Sequence, residues 1–407
     1  MNDGYYALNE YTAITYAQSC AALHPLLPPG EPLLCEEIGD GNLNLIFRIA
    51  STRDRTRSVI IKQALPYVRL VGESWPLSPE RARIESDALA LQAQLCPTMV
   101  PLIYHYDPAL YLTIMQDLRD AVIMRKGLIA GRRYPNFAEQ IGEFLAQTLF
   151  KTSDLFLDSA AKKQAVAQFI NPELCKLSED VIFTEPYQAD APNNRHNPLL
   201  DAQQIAALRA NRDVLREVQW LKWMFMTRGE ALIHGDLHTG SIMVTHDRTW
   251  VIDPEFAFYG PMGFDIGAVL GNLVVSYAAH VAHSPDPQQR ANYQEYLLHT
   301  IQQIWDGFAQ RFNTLWHEHD PSALDPFRDT FLLALLRDSI GFAACKMIRR
   351  ILGVAHVIDL EQIADLVQRA RAEQWVLMIA ECMLLERTAI VDSAGLLALI
   401  RSCPAPG

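Results

Sequence analysis

The apolar positions of this chain change rhythm along its length. Residues 10 to 24 repeat at helical spacing, and the stretch from Pro25 to Pro32 predicts the end of that helix, because proline supplies no backbone donor. From Leu33 to Ile49 the pattern shortens to alternation on either side of Gly39-Asp40-Gly41-Asn42, which predicts two strands joined by a turn. Ser58 to Ala64, β-branched around Lys62, and Tyr111 to Met115 predict further strands, with a helix opening at Ser78-Pro79-Glu80 and running to Leu95 between them. Beyond Asn136 helical spacing takes over, in 137–150, 201–227, 264–280, 291–313, 328–350 and 360–388. Ala231 to Asp253 interrupts it with two apolar runs, Ser241–Thr245 and Thr249–Ile252, flanking His246-Asp247-Arg248 as a hairpin would. Glu185 to Pro198, polar and rich in Pro and Asn, predicts a surface loop.

These elements predict an α+β, bilobal protein: a small antiparallel-sheet lobe over 1–118 and a larger, mainly helical lobe over 119–407, with a cleft between them. A chain of 407 residues is long enough for two such cores.

Composition narrows the partners. A mean hydropathy of +0.01 with half the residues hydrophobic excludes a disordered chain. A formal net charge of −12 argues against nucleic acid or an anionic membrane as partner, so an anionic substrate would need a local basic pocket. The seven cysteines are scattered, with no C-x-x-C pair, and read as reduced thiols. With no N-terminal leader pattern and no run of about 18 apolar residues, a cytoplasmic protein without a membrane partner is expected.

Candidate chemistry gathers on the strand-like interruption. His234-Gly235-Asp236-Leu237-His238-Thr239-Gly240-Ser241 is followed, after the hairpin, by Asp253-Pro254-Glu255. An acid on a loop and a second acid at a strand end is how phosphotransferases set a hydroxyl acceptor beside a metal-bound triphosphate. Either acid alone is as readily a turn or cap residue; the spacing gives them meaning together. The Gly39 to Asn42 turn, a plain hairpin taken singly, can bring backbone N–H groups to phosphates, and Lys62 stands on the next strand, where kinases reach the α- and β-phosphates.

The sequence resembles the aminoglycoside and choline phosphotransferase branch of the protein-kinase-like superfamily, in which H-G-D replaces H-R-D. Within that branch it is similar to the methylthioribose kinase family, through Glu37-Ile38-Gly39-Asp40-Gly41-Asn42-Leu43-Asn44, Ile61-Lys62-Gln63-Ala64-Leu65-Pro66-Tyr67, Gly72-Glu73-Ser74-Trp75-Pro76-Leu77, His234 to Ser241 and Asp253-Pro254-Glu255. The resemblance implies a protein-kinase-like fold and ATP- and Mg²⁺-dependent phosphorylation of 5-methylthioribose at its 1-hydroxyl, a step of methionine salvage, by a homodimer. It implies ATP contacts at Asn44, Lys62, Gln116, Asp117, Leu118, Asp253, Pro254 and Glu255; Glu85, on the helix that follows the loop near 70–77, is read from helix placement alone as the partner that orients Lys62. It assigns Asp236 to the acceptor hydroxyl, Arg349 and Arg350 to the sugar, and Trp75, on a loop near 70–77, to a lid over the substrate. A surface staple remains the alternative for Trp75, and a helix C-terminal cap for the arginine pair. Where a protein kinase has Asn five residues after the catalytic Asp, this chain has Ser241, so the expected Mg²⁺ shell is Asp253, Glu255 and Ser241, with Glu255 supplying the missing oxygen. The rivals are a choline, homoserine or aminoglycoside kinase of the same fold, whose usually cationic acceptors a twin Arg opposes, and a pseudokinase scaffold, which would be expected to lose Lys62, Asp236 or Asp253.

Overall fold

A computed structural model describes residues 4–38, 43–67 and 76–406. The chain forms two compact units, one of residues 1–121 with 250–257, the other of 122–249 with 258–407. The boundary thus falls three residues beyond the expected 118, and the acid-bearing segment 250–257, expected in the helical lobe, belongs to the first unit.

In the first unit, helix α1 (Glu10–Ser19) starts at a capping box in which Asn9 and Thr12 exchange hydrogen bonds. After it come strands β1 (Leu33–Glu37), β2 (Asn44–Ser51) and β3 (Ser58–Ala64), helix α2 (Arg81–Leu95), and strands β4 (Ile103–Asp107) and β5 (Leu112–Gln116). The strands form an antiparallel sheet in the order β1-β2-β3-β5-β4. Strand β4 has no clean alternation and was not expected; it reaches β5 through a register shift between Ile103 and His105. Val59 and Ile61 join Ala13 and Ala17 of α1 in one core. Because side chains alternate across a strand, Lys62 points to the opposite face, where α2 packs.

The second unit begins with β6 (Val122–Ile123), α3 (Met124–Ile129), α4 (Phe137–Lys151), α5 (Ser159–Gln168) and α6 (Pro172–Phe183). Next are α7 (Ala202–Ala210) and α8 (Arg212–Thr227), separated at Asn211, whose side chain caps α8. Strands β7 (Ala231–Ile233), β8 (Ile242–Val244), β9 (Thr249–Val251) and β10 (Phe258–Gly260) follow, β7 pairing with β10 and β6 with β8. At the expected hairpin, Thr245 N–H donates to Arg248 O at 2.9 Å. The chain ends with α9 (Met262–His283), α10 (Pro287–His319), α11 (Asp325–Leu352), α12 (Ile358–Glu361), α13 (Leu366–Glu386) and α14 (Ser393–Ser402).

Helix α9 is long and apolar enough to cross a membrane, yet it is wholly buried within the protein. It packs on α11 through Gly263, Gly267 and Gly271, one stripe at four-residue spacing. A Cβ at Gly267 would lie 2.5 Å from the Ser339 carbonyl oxygen, so the glycines let the two backbones meet. That approach carries the far end of α11, with Lys346, Arg349 and Arg350, to the loop between β7 and β8. All seven cysteines are free.

Candidate functional site

Two charged clusters, one in each unit, hold the sequence-predicted residues that the structure describes. The turn Gly39 to Asn42 and Trp75 lie outside those residues. The loop carrying Trp75 has a described base, where Leu77 N–H donates to Pro66 O at 3.1 Å and Tyr67 bridges Pro76.

In the first unit, Lys62 on β3 is 8% exposed. Its Nζ lies 2.8 Å from Glu85 Oε1 on α2 and also contacts Asp253 Oδ1. Asp253 has a φ of +69°, a left-handed conformation unusual for a residue with a Cβ, which sharply redirects the chain after β9. Two residues on, Glu255 Oε2 accepts from Asn44 Nδ2 at 2.9 Å and lies 3.3 Å from Arg81 Nε. Arg81 also donates to Leu43 O at 2.9 Å and to Asn44 Oδ1 at 3.0 Å, binding the start of β2 to α2. Arg81 was missed in the sequence; its position one helical turn before Glu85 is the signal that could have found it.

Glu85, Asp253 and Glu255 offer oxygens that all lie within 4.8 Å of one another. Three carboxylates against two cations, Lys62 and Arg81, leave a formal surplus of one negative charge. Burial, opposed by Lys62 but reinforced by Asp253 and Glu255, pushes the Glu85 carboxyl up to about 8. Burial and then Asp253 raise Glu255, against the pull of Lys62 and Arg81. For Lys62, burial works against the charge, but Asp253 and Glu85 outweigh it and hold the ammonium protonated. A hard-oxygen set with surplus negative charge fits Mg²⁺.

Of the residues expected around the nucleotide base, Asp117 has its carboxylate engaged by Arg48 Nε at 2.9 Å and Ser58 Oγ at 2.7 Å. Gln116 pairs with Val59 in the sheet, Leu118 is buried, and Pro254 accepts the Ala257 N–H at 3.0 Å.

In the second unit, the loop from His234 to Ser241 joins β7 to β8. Its first two N–H groups, of His234 and Gly235, donate to the Asp265 carboxylate on α9 at 2.6 and 3.0 Å. Gly235 takes a φ of +83°, which requires glycine here. His238 Nδ1 accepts the Gly240 and Ser241 N–H groups, both at 3.0 Å. With Nδ1 an acceptor, Nε2 carries the proton and faces Asp236 Oδ2, 3.4 Å away. Burial keeps this imidazole well below its ordinary pKa, with Arg125, Arg350 and Lys346 adding to the effect against Asp236, so it is neutral at pH 7. Ser241 Oγ donates to Asp236 O at 3.1 Å, which engages the hydroxyl within the loop. Behind the loop, Arg125 pairs with Asp359 at 2.9 Å, donates from Nη2 to Asn272 Oδ1 at 2.9 Å, and donates its backbone N–H to Thr239 O at 3.1 Å.

Asp236 is surrounded by cations. Burial alone would raise its carboxyl, but the His238 Nε2–H and the cations Lys346, Arg349 and Arg350 overcome that and hold it far below the usual carboxylate range. Lys346 Nζ is 3.6 Å from Asp236 Oδ1. Arg350 Nη1 donates to Ala355 O, just past the end of α11, at 2.7 Å. Arg349 Nε, also buried, makes no hydrogen bond among the described residues. Asp265, Arg125 and Lys346 were not read as site residues. Lys346 was detectable, since positions i, i+3 and i+4 of a helix share a face with Arg349 and Arg350.

Such a carboxylate can hold a hydroxyl by its proton, and the other cluster can hold a cation and polyphosphate. Residues 35–310 match the model of the phosphotransferase enzyme family. The chain is 43% identical over 389 residues to a methylthioribose kinase of Geobacillus sp. (strain WCH70), covering 94% of this chain and 92% of the relative. It is 43% identical over 398 residues to methylthioribose kinase 1 of Oryza sativa subsp. japonica, with the same shares. To a methylthioribose kinase of Yersinia pseudotuberculosis serotype IB (strain PB1/+) it is 42% identical over 403 residues, covering 98% of this chain and 97% of that one. The agreement spans both units, and the chain belongs to the methylthioribose kinases of the phosphotransferase enzyme family.

Proposed function

We propose that this protein transfers the γ-phosphate of ATP to the 1-hydroxyl of 5-methylthioribose, giving ADP and 5-methylthioribose 1-phosphate for methionine salvage. The observation that carries the reading is the 42–43% identity to methylthioribose kinases over 94–98% of the chain. In the transfer, the hydroxyl oxygen bonds to the γ-phosphorus as the β–γ bridging bond breaks, ADP leaves, and the hydroxyl proton moves toward Asp236. A carboxylate held this acidic is a weak proton sink, so its main work is to orient the hydroxyl, with the proton passing late.

Lys62, steadied by Glu85, is assigned to the α- and β-phosphates, and Asn44 with the chain at Gln116, Asp117, Leu118 and Pro254 to the nucleotide. The Asp117 side chain, spent on Arg48 and Ser58, leaves only its backbone for that task. Asp253 and Glu255, with Glu85 beside them, are the residues that would hold Mg²⁺, which neutralises triphosphate charge when bound. Ser241 is assigned to its loop rather than to the metal. Arg349, with its unbonded Nε, is assigned to the sugar hydroxyls, and Arg350 to the end of α11 and to the field around Asp236. Trp75 as a lid, a homodimer and a cytoplasmic location complete the reading.

Incubated with ATP, Mg²⁺ and methylthioribose, the purified protein should release one ADP per sugar consumed. ³¹P NMR of the product should show a phosphate coupled to the anomeric proton. Phosphate on another carbon, or ADP release independent of the sugar, contradicts the assignment.

A further inference from the structure

Lys346 is a buried cation without a full set of partners. It is 4% exposed, and its Nζ makes no hydrogen bond among the described residues. The face of Phe264 lies under it, with the ring centroid 3.8 Å away. Asp236 Oδ1, its nearest anion, is 3.6 Å away, close enough to attract but too far to accept a hydrogen bond. Arg349 and Arg350, one turn further along α11, repel it. Cation–π and ionic attraction offset part of the desolvation cost of an ammonium, but three N–H donors left unbonded in a buried site are expensive. Burial accordingly pushes this ammonium down to about 8, with the arginines adding and Asp236 and Asp265 opposing. A buried donor kept at such a cost beside the acceptor-orienting carboxylate is a place for a ligand oxygen.

The shape of the gap suggests which oxygen. A carboxylate oxygen accepts and an ammonium donates, so the pair offers opposite polarities 3.6 Å apart. Two neighbouring hydroxyls on a sugar ring match this. One gives its proton to the carboxylate while the other accepts from the ammonium, each at an ordinary length of about 2.8 Å. A cationic acceptor placed there would meet the ammonium head-on.

We propose that Lys346 is a substrate-contacting residue, donating from Nζ to the 2-hydroxyl of the sugar while Asp236 holds the 1-hydroxyl. This rests on the assignment of the acceptor as methylthioribose and of Asp236 to its reacting hydroxyl. Lys346 thereby reads the vicinal diol, which a 2-deoxy sugar or an amino alcohol lacks.

The test uses the full-length enzyme and the variants Lys346→Met and Lys346→Arg, with methylthioribose and its 2-deoxy analogue as acceptors. In the wild type, the analogue should lose at least tenfold in kcat/KM. In Lys346→Met the natural sugar should lose a similar factor, mostly through KM, while the analogue loses less than twofold further and the KM for ATP is unchanged. Lys346→Arg should keep part of the preference for the natural sugar. The melting temperature of Lys346→Met should be equal to or above that of the wild type, because an apolar chain of similar length replaces a poorly partnered charge. Equal losses for both sugars, or an unchanged KM for methylthioribose, overturns the proposal, and so does a marked fall in melting temperature with sugar kinetics intact. An inactive wild type with methylthioribose would instead remove the underlying functional assignment, so the two failures are distinguishable.

Discussion

The two charged clusters differ in sign and in how fully their groups are bonded. Around Lys62, three carboxylates face two cations; Asn44 and Lys62 hydrogen-bond the carboxylates, while Arg81 Nε, itself without a hydrogen bond among the described residues, lies 3.3 Å from Glu255. Around Asp236, three carboxylates (Asp236, Asp265, Asp359) stand among four cations (Lys346, Arg349, Arg350, Arg125), a formal surplus of one positive charge, and Lys346 Nζ and Arg349 Nε have no hydrogen bond among the described residues. A surplus of negative charge on hard oxygens calls for a metal ion, whereas buried donors calling for acceptors suit an oxygen-rich ligand that carries no positive charge. The contrast gives the ligand class of each cluster from charge and bonding alone. It also disfavours a cationic acceptor beside Asp236.

The strongest challenge to this contrast is Asp236→Asn, which keeps shape and removes charge. Turnover should fall by about 10²- to 10⁴-fold, the usual cost of losing a positioned base, with ATP affinity near normal. A variant that keeps a tenth of wild-type turnover would take Asp236 out of its role. Arg349→Ala should lower kcat/KM for the sugar about 10- to 150-fold, since a charged hydrogen-bond donor contributes about 1.5–3 kcal/mol. Arg350→Ala should act more on stability, through the lost contact to Ala355 O. If steady-state kinetics and thermal melting return the opposite pattern, the division of labour between the two arginines is reversed.

Gly267→Ala probes how the cationic cluster is assembled. Its methyl would collide with the Ser339 carbonyl, so α9 and α11 must part, at a cost of about 1–3 kcal/mol in urea unfolding. Sugar KM should rise with it, because α11 carries the cluster; an unchanged urea midpoint would mean that the helices have slack. In the other cluster, Glu255→Gln should raise the Mg²⁺ concentration for half-maximal rate roughly tenfold, a neutral amide being the weaker ligand. The smallest expected effect is on pH. Burial places Glu85 at about 8 and raises Glu255, so below that pH the metal must displace protons. Half-saturating Mg²⁺ should therefore climb as pH falls from about 8 to 6 and level off above. A flat titration would separate these carboxylates from metal binding.

What was legible in the sequence follows the same physical divide. Loop residues such as Asp236 and Asp253 stand out because short motifs fix their spacing on strands and turns. Helical residues such as Arg81 and Lys346 did not, because a charge on a helix looks like a solvated face until the packing partner is known. Segment 264–280 was readable as a helix, but its burial and its closeness to α11 depend on three glycines whose stripe has meaning only once Ser339 and Ala343 lie against it. Helices α3, α5, α6 and α14 were missed, and α7 and α8 were merged, since one residue, Asn211, separates them. The assignment of 250–257 to the helical lobe failed for a related reason: sequence neighbours were taken for spatial ones.

The most direct measurement is a competition on one enzyme preparation, with kcat/KM for methylthioribose, choline and homoserine determined by ADP release at fixed ATP and Mg²⁺. A cluster that carries surplus positive charge around Asp236 predicts that the neutral sugar is preferred over either ammonium-bearing acceptor, cationic choline or zwitterionic homoserine, by at least a hundredfold. Choline or homoserine turning over as efficiently as the sugar would contradict the account.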